Sequence, residues 1–143
     1  MLYTGLNLHR SFSYITTMND KGESIDQKKP PGNGAVMEFL KEFDDTMEVA
    51  IEATPSWYWL YDYLEDDGFK AKLSHLLKTK AISYAKVKTD KVDSATLAHL
   101  LKNNLLPLSY VPEKLVRLNR ELLRYRASLV YTLGRQFDWA APT

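Results

Sequence analysis

Apolar, aromatic and β-branched runs open the chain, and apolar positions at helical spacing dominate its second half. Leu2-Tyr3-Thr4-Gly5-Leu6-Asn7-Leu8 and Phe12-Ser13-Tyr14-Ile15-Thr16-Thr17-Met18 each predict a strand. Asn19-Asp20-Lys21-Gly22 has the chemistry of a turn, and Ser24 to Lys29 then pairs as a third antiparallel strand. Pro30-Pro31-Gly32-Asn33-Gly34 interrupts the pattern, after which Val36, Phe39, Leu40 and Phe43 recur at the spacing of a helix over Ala35 to Phe43. Met47 to Glu52 is apolar enough for a strand buried on both faces. A turn over Glu52 to Ser56 leads into an aromatic helix, Trp57 to Asp67, with Gly68 suited to its C-terminal cap. Phe69 to Leu73 alternates as a further strand, so residues 47–73 make a β-α-β unit with right-handed crossover.

The stretch Ser74 to Lys88 reads as irregular or briefly helical. A helix follows from Asp90 to about Lys102, carried by Ala95-Thr96-Leu97-Ala98-His99-Leu100-Leu101 and closed by Asn103-Asn104. Pro107 and Pro112 bracket a loop, and Glu113 to about Leu133 reads as one long helix. Its Leu115, Leu118, Leu122, Tyr125 and Leu129 fall in three-four alternation, a coiled-coil seam that needs a partner helix. Phe137 to Thr143 breaks that pattern. Three antiparallel strands, a helix, and then a parallel strand and helix is the order of a ribonuclease-H-like (RuvC-like) α/β fold. Such a fold has a mixed sheet flanked by helices, with the first and fourth strands side by side at its centre. The expected division is residues 1–106 for this domain and 107–143 for the start of the coiled-coil segment.

A chain of 143 residues, 45% of them hydrophobic, has room for one domain with a core and an appended element. The absence of cysteine excludes disulfides and thiolate metal sites. Neither a signal peptide nor a membrane-spanning run is legible, which leads to the expectation of a soluble, cytoplasmic protein. Charge is segregated. Residues 37–67 hold ten acidic side chains against one lysine, whereas residues 70–104 hold eight lysines against Asp90 and Asp93. Such asymmetry points a positive field from the second half of the chain at a polyanion, with a merely solvated surface as the alternative. Lys78, Lys80, Lys86 and Lys88 are candidates for phosphate contact, followed by Arg120, Arg124 and Arg126 on the long helix. No phosphate-binding glycine loop, nucleophile elbow or dinucleotide fingerprint is present.

Asp90 and Asp93 share a helix face at i, i+3, and the fold order projects Asn7 and Glu52 toward the same point. A cluster of oxygen ligands of this kind holds two Mg²⁺ ions for phosphodiester chemistry. Ordinary readings stand beside it. Asp90 and Asp93 suit a helix start, one capping free amides and the other favourable to the dipole; Glu52 suits a strand end facing water; Asn7 suits a buried hydrogen bond. His9, His75 and His99 are scattered and read as structural or solvated. Trp57, Tyr58, Trp59, Tyr61 and Tyr63 read as core and subunit contact rather than as a platform for bases.

Four segments occur together in order and spacing: Gly5-Leu6-Asn7-Leu8-His9-Arg10; Val49-Ala50-Ile51-Glu52-Ala53-Thr54 followed by Trp57-Tyr58-Trp59; Lys88-Thr89-Asp90-Lys91-Val92-Asp93-Ser94; and Arg120-Glu121-Leu122-Leu123-Arg124-Tyr125-Arg126. Together they resemble the DEDD-type insertion-sequence transposases, the family that includes the Piv-like DNA invertases and the bridge-RNA-guided recombinases. The resemblance implies a RuvC-like domain followed by a coiled coil that assembles protomers, and the seam by itself predicts self-association through Leu115, Leu118, Leu122 and Leu129. The resemblance also implies binding of DNA and structured guide RNA, and Mg²⁺-dependent strand cutting and exchange. The family tetrad falls on Asn7, Glu52, Asp90 and Asp93, with Glu52, Asp90 and Asp93 as metal ligands. Where the family has aspartate this chain has Asn7, whose amide keeps an oxygen but loses the charge, so Mg²⁺ binding is expected to weaken. Pro55 replaces the usual glycine and Ser94 the usual alanine. Family members continue into a second domain with a nucleophilic serine, so the expectation is a truncated copy. Its alternatives are a non-catalytic nucleic-acid-binding or dimerisation remnant and a stand-alone RuvC-like nuclease.

Overall fold

The structure, a computed structural model, describes residues 1–43, 46–55, 57–82 and 88–140, the last helix with side chains through Gln136. Its elements are β1 (Leu2–Leu8), β2 (Ser13–Met18), β3 (Ser24–Lys28), α1 (Ala35–Lys41), β4 (Met47–Glu52), α2 (Trp57–Asp66), β5 (Lys70–Ser74), α3 (Leu76–Ile82), α4 (Asp90–Lys102) and α5 (Lys114–Ala140). The strands form one five-stranded mixed sheet in the order β3-β2-β1-β4-β5. β1 pairs antiparallel with β2 and parallel with β4, placing the first and fourth strands together at the centre as the fold order predicts. This is the α/β architecture of the ribonuclease-H-like fold. Two compact units are distinguished, Met1–Ser109 and Tyr110–Thr143.

One row across the sheet decides where α4 lies. Gln27, Thr16, Gly5, Ala50 and Lys72 are neighbours through successive registers, so the centre of the row is made of small side chains. α4 settles onto that low point. A methyl group added at Gly5 would collide with the Ser94 carbonyl oxygen and would lie 2.7 Å from the Ala98 nitrogen and 2.9 Å from Leu97 Cβ. Ala50, Leu97 and Leu101 form a buried cluster beside this contact, with Tyr3 and Leu106 packed against it. Thr16 Oγ1 and Ser94 Oγ share a buried hydrogen bond of 2.6 Å, so the Ser94 hydroxyl of α4 is satisfied against the sheet. One residue along, Leu6 is flanked by Ile15 and Ile51, and Ile51 by Leu73. All four are buried, and strand alternation turns them to the opposite face.

The local chemistry explains the element ends. Gly68 has φ +84°, and Phe69 N–H returns to the Leu64 carbonyl at 2.9 Å, closing α2 as its sequence suggests. Gly22, at φ +81°, turns β2 into β3, with its N–H on the Asn19 carbonyl at 3.0 Å. The 74–88 stretch is briefly helical, one of the two readings open for it: α3 begins at Leu76. Two expectations are corrected. The α2 aromatics are not the buried core: Leu60 and Leu64 are buried, Trp57, Trp59 and Tyr61 are half-buried with Trp57 meeting Tyr58 and Tyr61 edge-on, and Tyr58 and Tyr63 are exposed. Finally, α5 does not stop near Leu133 but continues to Ala140, because between these residues only Gly134 is a poor helix former and no proline intervenes. Among the described residues no helix is long and apolar enough to cross a membrane.

The Gly5 seat yields a direct test. Gly5→Ala forces α4 off the sheet, and its thermal midpoint should fall in keeping with a loss on the order of 3 kcal/mol or more. An unchanged midpoint would show that α4 rises from the sheet at little cost.

Candidate carboxylate and nucleic-acid site

The parallel register that pairs Leu6 with Ile51 carries Asn7 and Glu52 to the same end of the two central strands. The Gly5 contact then delivers the first turn of α4 to that end. α4 is capped by Thr89, whose Oγ1 accepts the Val92 N–H at 3.2 Å, so the capping role expected of an aspartate belongs to the residue before it. Asp90 and Asp93 both sit in the first turn, where negative charge suits the helix dipole.

Asn7 is only 2% exposed, and its Nδ2 donates to Asp90 Oδ1 at 3.1 Å. The same oxygen accepts from His9 Nε2 at 2.9 Å; because a carboxylate only accepts, Nε2 carries the proton. The imidazole is itself held. It stacks on Phe12 with ring centroids 4.4 Å apart, and the backbone N–H of His9 donates to the Phe12 carbonyl at 2.8 Å. Asn33, from the proline-glycine break, donates to the carbonyls of His9 and Arg10 at 3.0 and 3.2 Å and accepts from Ser13 Oγ at 2.8 Å. His9, read from sequence as structural or solvated, holds Asp90, and Asn33, which the sequence reading did not single out, braces the same turn. The signal available was the placement of His9 two positions after Asn7, at the end of β1.

Glu52 and Asp93 occupy the neighbouring half of the site. Together with Lys80, Lys88, Thr79 and Thr96 they line a cavity of about 240 Å³. Burial, and then the negative charge of Asp93, hold the Glu52 carboxyl above its ordinary value, against the opposing pull of Lys80, Lys88 and His9. Thr79 Oγ1 is buried with no hydrogen-bond partner among the described residues. Thr96 Oγ1 is satisfied by the Val92 carbonyl at 2.8 Å.

The predicted residues thus meet at one end of the sheet but do not act as one set. Glu52 and Asp93 face a common cavity, whereas Asp90 is engaged by Asn7 and His9. Among the described residues no group of three or more His, Cys, Asp or Glu side chains is placed to hold a metal ion. Asn7 aims a donor N–H, not its oxygen, at the carboxylate it accompanies, and the donor set as it stands does not fit a Mg²⁺ pair. Of the expected phosphate contacts, Lys80 and Lys88 reach the cavity and Lys78 is exposed on α3. Arg120, Arg124 and Arg126 are exposed on α5, and Lys86 lies outside the described residues.

A mixed sheet in this order, with acidic side chains gathered where its two central strands end and an added helix approaches, defines a ribonuclease-H-like domain with a carboxylate-bearing site. The family model of DEDD transposases of the IS110 type, described as transposase, matches residues 5–137, and the chain belongs to that family. A search of curated proteins finds no match to the chain.

The raised Glu52 value makes a pH prediction. A carboxyl that binds its proton more tightly folded than unfolded adds stability at low pH, and that stability is lost as the pH rises through the folded value. In EDTA, Glu52→Gln should therefore raise the thermal midpoint at pH 7.5. The gain should shrink toward nothing as the pH approaches 4.5, the ordinary glutamate value. A gain independent of pH would mean that ionisation of Glu52 is not its source.

Proposed function

We propose that this transposase domain serves DNA transposition in the cytoplasm by holding DNA and structured RNA at the lysine-bearing cavity, and that it does not cut strands by itself. The observation that carries the reading is the pairing of Lys80 and Lys88 with Glu52 and Asp93 around one cavity at the end of the central strands. Lysines on exposed, flexible stems suit phosphate contact as point charges, and their attraction for a polyanion extends over about a Debye length, roughly 8 Å at physiological salt. The carboxylates beside them oppose a phosphate placed at the cavity floor, so the nucleic-acid backbone is expected at its rim. Arg120, Arg124 and Arg126 supply a second exposed basic stretch on α5. The Asn7 amide, turned as a donor toward Asp90, supports the second half of the proposal.

Self-association belongs to the same reading. Leu115, Leu118, Leu122, Tyr125 and Leu129 are between 47% and 67% exposed, and their three-four spacing matches the partner-facing stripe of a coiled coil. A second copy of this helix is the partner whose pattern complements it residue for residue.

Two measurements check these statements. Fluorescence anisotropy with branched duplex DNA and with a hairpin RNA should show binding that weakens steeply with salt. Lys80→Ala and Lys88→Ala should each lower affinity without regard to sequence, reducing the salt slope by about one. Binding that ignores both lysines would remove the cavity from the interface, and cleavage of branched DNA by the domain alone would favour a stand-alone nuclease. Sedimentation should find an oligomer that the double variant Leu118→Asp/Leu122→Asp converts to monomer; a monomeric parent protein at high concentration would count against the stripe.

A further inference from the structure

We infer that Asn7 and His9 are positioning residues whose hydrogen-bond donors take, at Asp90, the place a divalent cation would otherwise fill, making this end of the sheet a metal-independent clamp. Three observations converge on that role. Asp90 Oδ1 receives both Asn7 Nδ2, at 3.1 Å, and His9 Nε2, at 2.9 Å, so one carboxylate oxygen is saturated by donors from one short segment of chain. Those donors are braced in advance. Asn7 is almost wholly buried; the His9 ring stacks on Phe12, and the His9 backbone is held at its N–H by the Phe12 carbonyl and at its carbonyl by the Asn33 amide. A histidine that merely covers surface needs no such framework. The clamp also joins residues more than eighty positions apart, tying the end of β1 to the first turn of α4, while the Gly5 contact holds the middle of the same helix.

The identity of residue 7 decides whether a cation is needed. An amide at this place can donate to Asp90; a carboxylate there would set two acceptors against each other at the same short distance. Two carboxylates so placed persist only with a shared proton or a cation between them. The asparagine therefore removes both the demand for a metal and a ligand for one, and the neighbouring His9 donor completes the exchange. This inference goes beyond nucleic-acid binding: the clamp can hold or fail whether or not the lysines contact phosphate, and the two are read by separate assays.

The test is the thermal midpoint of the full chain in EDTA and in millimolar Mn²⁺. The parent protein should have the same midpoint in both. Asn7→Asp should unfold about 5 °C lower or more in EDTA and regain that loss on addition of Mn²⁺. The exchanged pair Asn7→Asp/Asp90→Asn reverses the direction of the hydrogen bond and should recover stability in EDTA without metal, which loss of packing alone would not allow. His9→Ala should lower the midpoint, with partial recovery in His9→Gln, which keeps a side-chain donor. The inference is overturned if the parent is stabilised by Mn²⁺, if Asn7→Asp matches the parent in EDTA, or if the exchanged pair is no more stable than Asn7→Asp. Should Asn7→Asp fail to fold in EDTA, a folded exchanged pair supports the clamp and an unfolded one rejects it.

Discussion

The contact between Gly5 and the backbone of α4 is the constraint on which the rest of the site depends. The Ser94 carbonyl and the Ala98 nitrogen come so close to the strand that no side chain fits beneath them. Close approach of this kind lets a helix be located by backbone rather than by flexible side chains. The Thr16–Ser94 hydrogen bond and the Ala50–Leu97–Leu101 cluster lie on either side of the same contact. With its middle held, α4 has little freedom to slide. Its first turn, carrying Asp90 and Asp93, is presented where β1 and β4 end.

Two kinds of electrostatics meet at that end. Asp90 is satisfied by donors, and its neighbourhood is settled without further partners. Glu52 is less comfortable: it is partly removed from water, the charge of Asp93 disfavours its own, and Lys80 and Lys88 offset this from the cavity wall. This division leaves Glu52 and Asp93 beside Lys80 and Lys88, with Asp90 engaged by Asn7 and His9. The bond to Asp90 depends on the amide nitrogen of residue 7, a donor that a carboxylate in its place would lack.

Much of the architecture was legible because it rests on local signals. β-branched runs, the glycines at residues 22 and 68, and the continuous apolar stretch from Met47 to Glu52 each constrain the backbone within a few residues, and the strands lie where those signals put them. The less legible features depend on distant partners. Thr89 was hidden as a cap because two aspartates follow it, and any of the three has cap chemistry; only the approach of Asn7 and His9 leaves Asp90 engaged elsewhere. Asn33 lies in a stretch whose prolines and glycines read simply as a break, yet its amide spans back to the β1–β2 turn. The aromatic side of α2 resembled a core face by composition, whereas burial selected Leu60 and Leu64, which lie one helical turn apart.

From its amino acids alone the chain specified a mixed α/β sheet and the family to which it belongs. Periodicity, turn chemistry and motif order are properties of neighbouring residues and survive without coordinates. How the tetrad is shared out was decided only by tertiary structure. Asn7, Glu52, Asp90 and Asp93 occur in sequence as equals, and no spacing distinguishes an oxygen aimed at a cavity from one bound by a donor. The seat of α4 on Gly5 brings Asp90 within reach of Asn7 and His9 and leaves Asp93 beside Glu52. Hydrogen bonds and charge interactions depend on distances of a few ångströms between residues far apart in the chain, and packing sets those distances.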